Sequence, residues 1–509
     1  MFSRVLSVGL FGMESYKVNV EANLASGLPR FDVVGLPDAA VSESRERVRS
    51  AISNNGLDFP LSRITVNLAP ADIRKEGPVY DLPILISILR ATGQLRTDTD
   101  DSAFVGELAL NGEVRKINGV LPMVIRAQKE GIKKIYIPFD NRHEGAVVQG
   151  IEVYPVKTVA ELLSHLSGRE AISPVTSKDY KELFTDENLP DFADVKGQYQ
   201  PKRALEIAAA GGHNIMMIGP PGSGKSMLAK RIPSILPDMS FEEALECTNI
   251  YSISGKLPEG VSIMMTRPFR SPHHTISPAG LSGGGTVPRP GEISLAHNGV
   301  LFLDELPEFS RSSMEILRQP IEDGRITIAR VAATYSYPCS VMLVCAMNPC
   351  PCGFYGHPTK PCTCPKGAPA RYLSKVSGPL LDRLDIHIEV PAVNYEELSS
   401  SRKEESSAEI KKRVNAARNI QRQRFEGTSV NCNAKMTASQ TREFCSITKE
   451  ASDILKHSFE ALGLSARAYD KVLRVARTIA DMDASEQINS DHILEAVQYR
   501  SLDRKFWKV

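Results

Sequence analysis

Eight consecutive residues constrain this chain more than any other feature: Gly219, Pro220, Pro221, Gly222, Ser223, Gly224, Lys225 and Ser226. They fit the phosphate-binding P-loop pattern in full. The apolar run Ile215–Ile218 precedes them and the helix-forming stretch Met227–Ile232 follows, which is the context the motif requires. Glycines let successive backbone amides close round phosphate oxygens, and the start of the helix adds positive potential. In this pattern Lys225 reaches the β- and γ-phosphates of ATP, and Ser226 ligates Mg²⁺. A chance glycine loop would not carry strand, motif and helix in register.

A second apolar run, Val300–Leu303, ends in two carboxylates, Asp304 and Glu305. Adjacent acids after a strand are commonly a solvated turn, but the upstream P-loop gives these a task. Asp304 would hold Mg²⁺ through water, and Glu305 would take a proton from an attacking water. A third run, Val341–Ala346, leads to Asn348, placed to orient that water; the alternative is a turn cap before Pro349. With Ile386–Val390 the short apolar runs number four. Their alternation with helical stretches predicts a mostly parallel sheet covered on both faces.

The chain has 509 residues, more than one ordinary domain. Residues 1–168 alternate strands and helices, with strands expected at Tyr16–Ala22, Ile64–Leu68 and just after Gly131, and helices at Asp38–Asn54 and Asp81–Ala91. A polar stretch, 169–193, reads as a linker. The nucleotide core follows over 194–394, and 395–509 forms a helical lid whose first part, 395–426, is expected to be exposed helix. Net charge is only +1, so any nucleic-acid binding must come from a local patch. No apolar run approaches the roughly 18 residues a membrane-spanning helix needs. The opening residues lack a small-residue cleavage site, so no signal peptide is expected. The cysteines number nine; without a secretory signal they read as thiols of a cytoplasmic protein.

The P-loop, the acidic pair and Asn348 are followed by Leu380, Leu381, Asp382, Arg383, Leu384 and Asp385, then by Ser465, Ala466 and Arg467. Together these resemble the magnesium-chelatase branch of AAA+ ATPases, and the whole chain resembles the YifB/ComM group. Relatives of that group include the chelatase ATPase subunit and the minichromosome-maintenance helicases. The resemblance implies a homo-oligomeric ring, a hexamer, with ATP at subunit interfaces. It puts Arg383 at the arginine-finger position, reaching the neighbour's γ-phosphate, and Arg467 at the sensor position on the lid. A rigid planar cation suits developing phosphoryl charge; pairing with Asp382 or Asp385 is the plainer alternative. Next to Arg467, Tyr469, Val472, Leu473, Ala476 and Ile479 form an apolar stripe, with Lys471 and Arg474 on a basic face that otherwise reads as solvent-facing.

In the N-terminal region, Val66–Val79 resembles the segment carrying the serine nucleophile of Lon-type proteases, and Leu110–Leu121 resembles the stretch carrying their lysine. The implied fold is the α+β fold shared with domain two of ribosomal protein S5. Val79 stands at the serine position and Leu121 at the lysine position, and neither can act as nucleophile or base. The fold is kept and the protease is lost.

Three features remain. Cys350, Cys352, Cys362 and Cys364 supply four thiols, enough for tetrahedral zinc, although plain or redox-active thiols fit the tight Cys-x-Cys spacing too. Between P-loop and acidic pair lies a basic Gly/Pro-rich insertion with Arg270, His273, His274 and Arg289. It reads as too irregular for core, and its two histidines should splay apart. Finally, Arg325–Arg330 reads as a hairpin like the one minichromosome-maintenance helicases put in their central pore, with Arg330 in the DNA-contacting place. The alternative is an ordinary surface hairpin. A DNA translocase or branch-migration helicase, a chelatase motor and a protein remodeller all remain open. The first is favoured, because the chain carries no acidic metal-binding partner domain and the Lon-like domain is foreign to the chelatase subunit.

Overall fold

A computed structural model describes residues 1–176, 189–285, 288–330, 334–392, 395–399, 404–463, 465–502 and 506–507. Much of the stretch read as a linker, 177–188, lies outside the described residues. The chain forms two compact units. The first gathers Met1–Thr185, Phe241–Met265 and Ala329–Ser336; the second gathers Asp186–Ser240, Thr266–Ile328 and Tyr337–Val509.

A seven-stranded mixed sheet organises the first unit. Its order is Arg30–Val34, Arg63–Ala69, Glu14–Ala25, Phe2–Phe11, Ser102–Phe104, Lys134–Pro138 and Glu152–Val156. The opening residues are therefore a full strand, paired antiparallel with Glu14–Ala25. The helix Ala39–Asn54 starts where the Asp38 side chain accepts from the Val41 amide at 2.7 Å, a cap worth about 1 kcal/mol. The helix Asp81–Ala91 is buried almost all round, as its largely apolar composition requires. Its first residue, Asp81, accepts two hydrogen bonds from Arg47, at 2.6 and 3.0 Å. Burial pushes the Asp81 carboxyl up to about 6 against the opposing pull of that guanidinium. The helix Phe241–Ser254 belongs to this unit, as does the ring stack of Phe11 on Tyr335 at 4.9 Å.

The second unit is built on a five-stranded sheet in the order Phe269–Arg270, Val300–Leu303, Met342–Met347, Ile215–Ile218 and Ile386–Glu389, every pair parallel. Four of these are the strands the apolar runs predict. The fifth corrects the expectation that the insertion is too irregular for core. Val300 donates to the Pro268 carbonyl at 2.8 Å. Gly299 permits this approach, since a Cβ there would lie 2.1 Å from that oxygen. Val300–Leu303 and Ile215–Ile218 are buried throughout, as parallel strands covered on both faces must be.

The lid comprises Ser407–Arg424, Ala438–Phe444, Lys449–Leu462, Ala466–Met482 and Ser490–Gln498. Ser407–Arg424 departs from the expectation of an exposed helix; it buries Ile410, Val414 and Ala417. Its Arg418 and Gln421 donate to the carbonyls of Ala209 and Ala210, at the end of the helix Tyr199–Gly211. Carbonyls left over at a helix end need such partners. The apolar stripe of Ala466–Met482 packs inward as expected, but its basic face does not look into solvent. Lys471 Nζ lies 2.9 Å from Asp385 Oδ1 and donates to the Leu384 carbonyl at 3.2 Å. Burial alone would raise Asp385. The Lys471 ammonium beside it, with His213 as a further neighbour, outweighs this and holds the carboxyl well below the usual carboxylate range. Among the described residues no helix is long and apolar enough to cross a membrane.

Candidate nucleotide site

The P-loop follows the buried strand Ile215–Ile218, which lies between Met342–Met347 and Ile386–Glu389, and runs through the cap Gly224 into the helix Lys225–Ile235. All three of its glycines are required by geometry, and Gly222 holds φ +74°. Gly224 holds φ +92°, and a Cβ on Gly219 would lie 2.2 Å from the Val390 carbonyl oxygen. Lys225 Nζ donates to the carbonyls of Gly219 and Pro220 at 2.8 and 2.9 Å. It also donates to Asn348 Oδ1 at 3.2 Å. Burial pushes the Lys225 ammonium down to about 8, with Asp304 pulling the other way. Ser226 Oγ donates to Asp304 Oδ2 at 2.5 Å. A hydroxyl and a carboxylate oxygen thus converge beside the loop, a donor set suited to a hard divalent cation such as Mg²⁺.

The structure therefore brings together Lys225, Ser226, Asp304, Glu305 and Asn348, which lie far apart in sequence. Parallel pairing of the strands Ile215–Ile218, Met342–Met347 and Val300–Leu303 aligns the strand ends that carry them. Glu305 holds φ +52°, a left-handed conformation uncommon for a residue with a side chain. Its carboxylate is more than half exposed, and Oε2 lies 3.5 Å from His274 Nδ1. That proximity is not legible in the sequence. Nor do the two histidines splay: their rings lie 4.1 Å apart, because the segment turns there rather than running as a strand. Gln198 has no motif to announce it either. It sits at φ +55° before the helix Tyr199–Gly211 and donates to the P-loop carbonyl of Ser223 at 3.3 Å and to that of Pro391 at 2.7 Å.

Arg383 and Arg467 share a cleft of about 310 Å³ whose lining includes Glu322, Asp382, Asp385 and Lys471 and none of residues 219–226. Arg383 is held there by Glu322 at 2.7 Å and by the carbonyls of Arg318 and Pro379 at 3.0 and 2.6 Å. Its carboxylate partner is Glu322, not the neighbouring Asp382 or Asp385. Arg467 is exposed at the start of the helix Ala466–Met482.

Of the three arginines expected to meet DNA, Arg270 departs from the reading of an open loop. It lies in the sheet, and Glu292 takes its guanidinium through bonds of 2.6 and 2.8 Å. Arg289 is exposed on a small hairpin with Gly283–Gly284, and Tyr337 donates to the adjoining Pro288 carbonyl at 2.8 Å. The expected hairpin is present as Arg325–Ala329 and Thr334–Pro338, with Arg330 exposed just beyond its first strand.

None of the nine cysteines is in a disulfide. Cys350, Cys352, Cys362 and Cys364 come together, their sulfurs all within 4.8 Å of one another. In the first unit, Val79 and Leu121 are buried, and the Leu121 amide donates to Glu144 Oε2 at 3.4 Å. A full-chain assay of casein degradation with ATP is expected to show nothing above background. Degradation removed by a substitution within 1–168 would contradict this.

Three family models match: magnesium chelatase subunit ChlI over residues 191–398, subunit ChlI of Mg-chelatase over 20–141, and its C-terminal region over 404–500. The protein YifB of Escherichia coli K12 is 45% identical over 496 residues, 97% of this chain and 96% of that protein. The competence protein ComM of Haemophilus influenzae is 42% identical over 511 residues, 99% and 98% of the two chains. The chain belongs to the YifB/ComM family. It is thus a magnesium-chelatase-like protein of the AAA+ ATPase class, and membership implies use of ATP and Mg²⁺. Lon protease 2 of Bacillus subtilis is 32% identical over 124 residues, 24% of this chain and 22% of that protein. This partial likeness accords with a Lon-like fold and carries no protease activity with it.

Proposed function

We propose that this YifB/ComM protein is an ATP-driven ring motor that translocates on DNA and branch-migrates it. Its subunits form a hexamer, with Arg383 of each serving the nucleotide of the next and Arg467 as the sensor on the lid. The observation that carries the shared site is the separate cleft: both arginines line it, and the P-loop does not. In this reading the P-loop amides and Lys225 hold the β- and γ-phosphates, and Ser226 and Asp304 hold Mg²⁺, which offsets charge on the transferred phosphoryl group. Asn348 orients the attacking water, and Glu305 takes its proton. The four clustered thiols hold zinc.

DNA as the track is supported by the hairpin that ends beside exposed Arg330. One arginine per chain is weak, but six in a ring line a channel in an otherwise nearly neutral protein. Arg289 adds to that charge, and Arg270 adds less because Glu292 neutralises it. Arg330→Ala is expected to weaken DNA affinity across all sequences. It should also flatten the salt dependence, lowering the log–log slope by about 1 for each phosphate that is no longer neutralised. Fluorescence anisotropy over a salt series measures both. Unchanged affinity and slope would remove Arg330 from the track and favour a protein-remodelling role.

A further inference from the structure

After Asn348 the chain runs through residues 348–367 without a helix or strand. A loop of that length without backbone ladders needs another source of order to offset the entropy of fixing it. Cys350 is fully buried, and the other three thiols gather round it. Sγ of Cys350 lies 3.4 Å from that of Cys352 and 3.7 Å from that of Cys362, while Cys352 and Cys362 are 3.6 Å apart. These separations are far beyond the roughly 2.05 Å of a disulfide. They are near the edge of a tetrahedron of thiolates about 2.3 Å from zinc, which is about 3.8 Å. The Cys352 amide also donates to Cys364 Sγ at 3.4 Å, the kind of outer bond that settles a thiolate ligand.

The knot abuts the nucleotide loop. Gly353 follows the second thiol at φ +84°, and its amide donates to the Cys350 carbonyl at 3.0 Å. A Cβ on Gly353 would fall 2.3 Å from Cδ and 2.7 Å from Cγ of Pro221. Pro221 is the middle of the P-loop, so the bare Gly353 backbone forms a seat for it. At its other end the same segment leaves Asn348, which accepts from Lys225. The cysteine loop therefore touches the nucleotide site at two points.

We propose that zinc held by Cys350, Cys352, Cys362 and Cys364 braces the P-loop through the Gly353–Pro221 contact, so that ATP binding depends on the metal. This rests on the zinc reading given above, and the two are separable. A metal tying residues 350 to 364 fixes where Gly353 stands. Without it the loop is free to move away, and the P-loop amides no longer converge on phosphate.

The test uses the full chain purified without chelator. Metal analysis is expected to find one zinc per chain, falling in Cys352→Ser and Cys364→Ser. Removing zinc with a thiol-reactive mercurial and chelator, then reducing, is expected to weaken binding of a fluorescent ATP analogue by roughly tenfold or more. Added zinc should restore it. Gly353→Ala keeps all four thiols; it is expected to retain its zinc and still lose roughly tenfold in ATP affinity, because a side chain there displaces Pro221. Folded protein free of zinc would overturn the metal reading itself. Zinc present, with ATP affinity unchanged on stripping or in Gly353→Ala, would overturn the brace and leave the metal reading standing. If the stripped protein unfolds, Gly353→Ala decides alone.

Discussion

Glu305→Gln is expected to leave ATP binding nearly unchanged and to lower turnover by about 10²–10⁴-fold, the range for loss of a general base. The exchange keeps the shape of the side chain and removes its capacity to take a proton. Ser226 and Asp304, 2.5 Å apart, and Lys225 with its partners are untouched, so the phosphate and Mg²⁺ contacts should persist. Glu305 is suited to the task by position: it leaves the strand end in a left-handed conformation, with its carboxylate largely exposed and His274 as its neighbour. Steady-state hydrolysis and binding of a fluorescent ATP analogue, measured on one preparation, separate the two effects. Turnover within a few-fold of the parent would remove Glu305 from the chemistry.

The second large effect is expected from Arg383→Ala. An arginine reaching a transferred phosphoryl group from a neighbour is worth about 10³–10⁵ in rate, so hydrolysis should fall on that scale while ATP still binds. Arg383 rests on Glu322 and on two carbonyls, in a cleft without P-loop residues. To act, it must exchange Glu322 for the phosphate of an adjoining subunit. Mixing Arg383→Ala with Glu305→Gln subunits then pairs an intact base with an intact finger at some interfaces, and partial activity should return. Mixed rings that form, yet recover no activity at any ratio, would contradict a shared site.

The nucleotide site is legible in the sequence because its parts are local: a glycine loop after an apolar run, and polar residues at the ends of other runs. Each of those strands is buried on both faces and so writes its burial directly into the sequence. The rest depends on partners distant in the chain. Phe269–Arg270 is only a two-residue strand, defined by its pairing with Val300 and Leu301, and so short a run has no periodicity to read. His274 meets Glu305 because the parallel pairing of their strands brings their loops together. Lys471 resembles a solvent-facing cation since nothing near it in sequence reveals Asp385, its partner outside the lid. Ser407–Arg424 reads as exposed for a related reason: Arg418 and Gln421, polar by composition, are buried because they serve carbonyls at the end of another helix. Pattern reading registers apolar burial, not polar groups buried in order to satisfy one another.

Coupling of ATP hydrolysis to DNA, as proposed, is read from the ATPase rate of the full chain alone and with single-stranded DNA, duplex or a four-way junction. Binding to DNA in low salt with little sequence preference is expected, together with a hydrolysis rate raised by DNA, the effect fading as salt rises. No binding to any of the three in ATP and low salt, with a hydrolysis rate indifferent to all of them, would contradict it.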